Sequence, residues 1–251
     1  MGREATLDNG QVSGRDLVAA ASRFPDLWIE PDAFLRYLPV IQWIKRQKSF
    51  LRILEIGSGD FGLTTYLKYP VVKADIKFNR SSPRSPRLAA DAAALPFRDK
   101  SFDLVFSADL LEHVSPESRI QILQEAVRVS RGRVMMIFPC GAEARESDCR
   151  LAFQYRKEHG RGLSILEEHG QIPFPEESEI RGWINSVPDL AAHCAVEKSF
   201  NLCIRESLIL AWLHARFYPI KVLMEIPWIF LFFHFGKCYR RILTLEPSPF
   251  V

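Results

Sequence analysis

Arg52-Ile53-Leu54-Glu55-Ile56-Gly57-Ser58-Gly59-Asp60-Phe61-Gly62-Leu63-Thr64-Thr65 decides how the rest of this 251-residue chain is read. Ile53, Leu54 and Ile56 have the apolar, largely β-branched character of a buried parallel strand. Gly57, Gly59 and Gly62 come next at G-x-G-x-x-G spacing. Glycines so placed let the main chain turn sharply, approach a ligand without a Cβ in the way, and pack closely on the succeeding helix. The spacing predicts strand, turn and then a helix near Leu63 to Lys68, with a ligand at the turn. Several nucleotide and nucleoside binders share that pattern, so the flanking acids must choose among them.

Asp75 closes a second apolar run, Val71-Val72-Lys73-Ala74-Asp75, eighteen residues beyond Gly57. A carboxylate there can accept both hydroxyls of a ribose. Asp91-Ala92, Leu95-Pro96-Phe97 and Ser101-Phe102-Asp103-Leu104-Val105 then put a third acid at the tip of a short strand ending near Ala90, just before another buried strand, Phe102 to Ser107. A polar side chain at that tip can bond an adenine amino group, and Ile76 offers the ring an apolar face. Each acid singly is also an ordinary turn residue; the order and spacing of all three point to one nucleoside held at three strand ends. A nicotinamide dehydrogenase would explain the first turn and Asp75 but not the run from Asp91 to Val105.

On these residues, together with Leu111-Glu112-His113-Val114, the segment from about Arg52 to Pro139 resembles the class I S-adenosylmethionine-dependent methyltransferases, in particular the type 11 branch. The resemblance implies an α/β, Rossmann-like sheet of seven strands, mostly parallel, with helices on both faces. It places Glu55, Gly57, Ser58 and Gly59 around the methionine part of S-adenosyl-L-methionine. It gives Asp75 the ribose, Ile76 and Asp91 with Ala92 the adenine, and Ser107 with Ala108 the remaining edge. The family's third glycine comes two places after the second; here that place is Phe61, and Gly62 takes the cofactor role one residue later. The seventh strand, antiparallel beside the fifth, is expected at Arg241 to Leu245, which makes the apolar block 208–236 a helical insertion before it.

The remaining segments decorate that core. Residues 1–50 form an N-terminal helical cap, with helical spacing over Asp16 to Arg23 and Asp32 to Gln47. Residues 51–140 make the cofactor-binding core, with a helix at Pro116 to Ser130 and a fifth strand at Arg133 to Phe138, and 141–251 the substrate-side half. Gly141 to Pro175 reads as a long polar loop, Glu176 to Val187 as a helix and Ala195 to Cys203 as a sixth strand. Arg80, Arg84 and Arg87 fall in a Ser/Pro-rich loop, where they are either solvated or facing an anion. Met1-Gly2 fits a myristoylation pattern and Asn79-Arg80-Ser81 a glycosylation acceptor; both are read as chance.

The bulk composition narrows the partners. With 33 basic and 30 acidic residues the formal charge is +3, too small to argue for nucleic acid. Five cysteines without a C-x-x-C pair favour reduced thiols in a cytoplasmic protein over a disulfide framework or structural zinc. No carboxylate-rich cluster stands near strand four, so no metal is expected. Ile226 to Phe235 is too short to span a bilayer. Its aromatics, followed by Lys237, Arg240 and Arg241, suit peripheral membrane contact, a lid over a lipid-like substrate, or a homo-oligomer contact.

Methyl transfer needs chiefly an aimed acceptor lone pair and exclusion of water. An oxygen acceptor still gains from a base, and the candidates are His113, which the resemblance places near the reactive end of the cofactor, and His159 and His169 on the substrate side. Leu166-Glu167-Glu168-His169 with Pro173 looks like a feature of methyltransferases of glycan assembly. The expected activity is methylation, on oxygen, of a small molecule, sugar or lipid-linked glycan. The alternative is a nucleoside-binding module of the same fold that has lost catalysis, for which Phe61 and the lack of an obvious base speak.

Overall fold

The computed structural model describes residues 31–78, 85–162, 164–186, 194–213 and 234–246. The first predicted helix, the two modification motifs, Arg80, Arg84 and the run from Ile226 to Phe233 lie outside them. The described elements in chain order are α1 (Pro31–Leu35), α2 (Leu38–Arg46), β1 (Ile53–Ile56), β2 (Val71–Asp75), β3 (Arg87–Ala89), β4 (Phe102–Ala108), α3 (Pro116–Val129) and β5 (Ser130–Pro139). Next come α4 (Ala142–His159), α5 (Ser164–Glu168), α6 (Glu177–Ser186), β6 (Cys194–Asn201), α7 (Leu202–Leu213) and β7 (Cys238–Leu245). The strands form one seven-stranded sheet in the order β3-β2-β1-β4-β5-β7-β6. β3 to β5 run parallel, while β7 pairs antiparallel with both β5 and β6.

The period of two along each strand divides the core into two layers. Leu54, Ile56, Val105, Val134, Met136, Phe138, Leu243 and Leu245 face one way, under Ile122, Leu123 and Ala126 of α3 and Ile180 and Trp183 of α6. Ile53, Leu104, Phe106, Met135, Ile137 and Ile242 face the other, under Val40, Ile41 and Ile44 of α2. The expected cover of both faces is therefore present, and the cap helix spans one of them.

Three local expectations are corrected. The helix predicted from Leu63 to Lys68 is a single 3₁₀ turn, Leu63–Thr65; Pro70 comes too soon after it for a helix to propagate. The cap helix is split into α1 and α2 by a turn at Arg36 and Tyr37. The predicted loop from Gly141 to Pro175 holds the eighteen-residue α4 and the short α5. Apolar spacing failed there because α4 is polar along most of its length. It is nevertheless built of strong helix formers, and it is bounded by Gly141 and Gly160, both at positive φ (89° and 67°).

Candidate functional site

The glycine turn is held from beneath by groups that the strand register makes neighbours. Glu55 and Lys73 lie side by side on β1 and β2, both buried. The Glu55 carboxylate accepts the Leu63 amide through both oxygens (2.9 and 3.1 Å), and Lys73 Nζ donates to the Phe61 carbonyl. Burial raises the pKa of Glu55 and lowers that of Lys73, each against the pull of the other. Gly62 has φ +62°, and a Cβ there would lie 2.5 Å from Glu55 Oε2. The displaced third glycine is thus a glycine by necessity in a turn one residue wider, which removes the ground that Phe61 gave for a non-catalytic module. Gly57, at φ +72°, lies against Leu110, which a Cβ would meet at 2.9 Å, whereas at Gly59 (φ +54°) a Cβ would meet nothing within 4 Å. Asp75 Oδ2 accepts the Gly59 amide at 2.7 Å, and Arg87 of β3 clamps Asp60 through its side chain (3.2 Å) and its carbonyl (2.6 Å).

Beyond Leu110, the chain leaving β4 carries a second group of polar side chains. Asp109 takes φ +60°, a backbone region that non-glycine residues seldom adopt, and receives Arg36 (2.9 Å) and Arg240 (2.6 and 3.0 Å). Burial works to raise its pKa, but the two guanidinium groups outweigh it and hold the carboxyl well below its ordinary value. Glu112 and His113 sit in a 3₁₀ turn, Leu111–His113. Glu112 is 1% exposed, and burial, with the charge of Asp109, pushes its carboxyl well above the ordinary range. His113 stands at the surface beside His169, ring centroids 5.2 Å apart; partial burial and then that neighbour lower its pKa. His169 is buried, with Nδ1 2.7 Å from Asp148 Oδ2 in α4. Tyr239 Oη donates to the same oxygen at 2.6 Å and Arg205 Nη1 to the other at 2.7 Å. These partners outweigh burial and keep Asp148 ionised. Buried Arg119 ties the two histidine-bearing segments together, donating to the Leu111 carbonyl (2.9 Å), the Pro173 carbonyl and Glu179.

The model of a family described as a methyltransferase domain matches residues 54–138, the span that holds the glycine turn, Asp109, Glu112 and His113 but neither Asp148 nor His169. Residues 54–138 carry a methyltransferase domain. The methyl donor that such a domain implies is S-adenosyl-L-methionine. The fold is that of PH0226 from Pyrococcus horikoshii (TM-score 0.52, 17% identity, covering 89% of this chain and 93% of that one). It is shared with phosphoethanolamine N-methyltransferase 2 of Haemonchus contortus, bound to S-adenosyl-L-methionine (TM-score 0.53, 16% identity, 96% of this chain and 59% of that one). The plantazolicin methyltransferase BpumL is similar too (TM-score 0.50, 11% identity, covering 94% and 92%). No curated protein matches the chain in sequence.

The residues of the methyltransferase turn fit the donor. Gly59 opens on free space, the carboxylates of Asp75 and Asp91 stand at the same sheet edge on neighbouring strand ends, and Ile76 is an apolar side chain left 77% exposed beside them. Asp91 is exposed, its Oδ1 accepting the Ala93 amide at 2.8 Å, with Ala92 between. Other predicted residues stand back from the opening. Glu55 supports the turn from below. The Ser107 hydroxyl is buried 3.0 Å from Met136 Sδ, and Ala108 is buried, so these two can offer backbone only. Ser58 is 8% exposed, and its hydroxyl is turned onto the Gly59 carbonyl.

The predicted histidines divide. His113 and His169 come together, while His159 ends α4 and its side chain lies outside what is described. Sequence reasoning missed Asp109, Glu112, Asp148 and Arg119. Two basic residues assigned to a membrane surface are corrected: Arg240 and Arg241 lie in β7, 2% and 9% exposed, paired with Asp109 and Glu177, so neither faces a bilayer. Lys237 pairs with Glu143 at 2.5 Å. Among the described residues no helix is long and apolar enough to cross a membrane.

Proposed function

We propose that this methyltransferase acts on a hydroxyl oxygen, in an acceptor drawn from small molecules, sugars or lipid-linked glycans, bound between the end of β4 and the segment 141–175. When bound, the donor supplies an electrophilic methyl group on a sulfonium centre. The chain's own residues hold the donor at the glycine turn and present the acceptor oxygen with its proton removed. The observation that carries this reading is the pair His113 and His169, 5.2 Å apart and next to the Leu110 contact with Gly57. Asp148 accepts from His169 Nδ1, which fixes the tautomer with a free lone pair on Nε2, the form able to take a proton.

Labour is divided accordingly: residues 51–140 hold the donor, and 141–251, with the cap 1–50, select the acceptor. Arg145, Pro173 and Phe174 line a cavity of about 440 Å³ on the acceptor side of the sheet, large enough for a sugar-sized group.

The test is transfer of a radiolabelled methyl group from the donor into a cell extract, with the labelled product characterised. A methyl ether is the expected product; label found only on nitrogen or carbon would overturn the oxygen assignment. His113→Ala and His169→Ala should both keep affinity for S-adenosylhomocysteine, and at least one should lose turnover. Full activity in both would remove the histidines from the reaction.

A further inference from the structure

Glu112 is a buried carboxylate without company. It is 1% exposed, and neither Oε1 nor Oε2 meets a hydrogen-bond partner among the described residues. A buried carboxylate left so costs several kcal/mol, and folded proteins keep such groups where a proton or a cation satisfies them. Its surroundings are suited to a cation. One ligand atom each from Glu112, His113 and His169 can be chosen so that all three lie within 4.8 Å of one another. Ligand atoms about an ion at ~2.0–2.1 Å sit roughly 3.3 Å apart, so the three side chains must draw together by about an ångström or more to close on one ion.

His169 is already prepared for such a role. Its Nδ1 is directed at Asp148 Oδ2, and Asp148 is itself held by Arg205 and Tyr239, so Nε2 is the nitrogen left for a metal. A histidine oriented through its other nitrogen by a carboxylate is the usual outer support of a metal ligand. Asp109, three residues earlier, is no rival ligand, since Arg36 and Arg240 occupy its oxygens.

We propose that Glu112, His113 and His169 bind one divalent first-row transition ion, zinc above all, with a coordination position left open for an oxygen of the methyl acceptor. Two imidazoles and one carboxylate with an open position are a zinc-type donor set; magnesium and calcium prefer oxygen alone. The ion's task, though not its binding, rests on the hydroxyl reading above. With the ion bound, the acceptor oxygen would become its ligand, the O–H bond would break and the proton would leave to water while the imidazoles hold the metal; without the ion, that proton passes to an imidazole as proposed above. A bound ion would run against the sequence expectation that no metal takes part. Glu112-His113 and His169 are too far apart in the chain to read as one cluster.

The test uses the full chain, free of any histidine tag and stripped with chelator, titrated separately with ZnCl2, CoCl2 and MgCl2 by calorimetry, the cobalt form also followed by its visible absorption bands. One zinc or cobalt per chain is expected, with no heat from magnesium. Glu112→Gln and His113→Ala should each weaken zinc at least 100-fold, and Asp148→Asn by about 10- to 100-fold. S-adenosylhomocysteine is titrated in parallel. A chain that binds S-adenosylhomocysteine but takes up neither zinc nor cobalt overturns the metal site and leaves the methyl-transfer reading standing. Zinc uptake unchanged in both Glu112→Gln and His113→Ala overturns it equally.

Discussion

A methyl group added at Gly62 would meet the Glu55 carboxylate at 2.5 Å on a backbone at φ +62°, whereas one added at Gly59 would meet open space at φ +54°. The two glycines are therefore separable by experiment. Gly62→Ala combines left-handed strain with crowding and should cost about 2–4 kcal/mol in urea unfolding. Gly59→Ala carries the strain alone, about 1–2 kcal/mol, but fills the open side proposed for the donor, so its larger effect should be on S-adenosylhomocysteine affinity by calorimetry. If Gly59→Ala binds as the parent does, Gly59 does not face the donor. Asp75→Ala removes the proposed ribose acceptor together with the bond to the Gly59 amide, and should weaken the same affinity by about 10- to 100-fold. These positions were legible in the sequence because spacing along one strand-turn unit fixes them locally. Glu112, and its nearness to the predicted His169, were not, since fifty-seven positions separate the two and only tertiary packing brings them together.

Helix α4 shows what periodicity alone misses among elements. Its sequence lacks a clear apolar stripe, yet it buries Ala144, Ser147, Asp148 and Leu151 along one side, two of them polar, and a reading by hydropathy passes over such a face. Propensity and the flanking glycines carried the signal instead. The elements also predict thiol reactivity. Cys140, between β5 and α4, is buried, and burial pushes its pKa up to about 12; Cys149 on α4 and Cys203 on α7 are exposed. Iodoacetamide at pH 8 should therefore modify Cys149 and Cys203 in the folded protein and spare Cys140 until denaturant is added, as mass spectrometry of the peptides would show. Early alkylation of Cys140 would mean that the β5 to α4 junction opens.

Across the whole molecule, Asp109 joins three distant parts of the chain: the turn before α2 through Arg36, the end of β4, and β7 through Arg240. Its folded pKa lies below the unfolded value of about 3.9, so the stability it contributes is complete above that value and is lost as pH falls through the folded one. Asp109→Asn should thus lower the urea midpoint most at pH 6, with the gap to the parent narrowing as pH falls toward 3. A gap that stays constant with pH would mean that the charge of Asp109 is not what joins them. A parallel sheet covered on both faces was readable from the alternation of strand and helix, because crossovers between parallel neighbours obey general rules, and the place of the seventh strand beside the fifth came from the resemblance. The acceptor half was not, since its shape is set by packing against β6 and β7. That half leaves and rejoins the sheet at adjacent strands, and the Cys140 amide bonds the Tyr239 carbonyl at 3.0 Å across the gap. The described residues between those two strands add α4, α5, α6, β6 and α7 to the sheet and its faces. Doubling the length of a surface loop joining those elements costs only about 0.6 kcal/mol in closure entropy, so insertions in such loops should leave the β5–β7 junction in place.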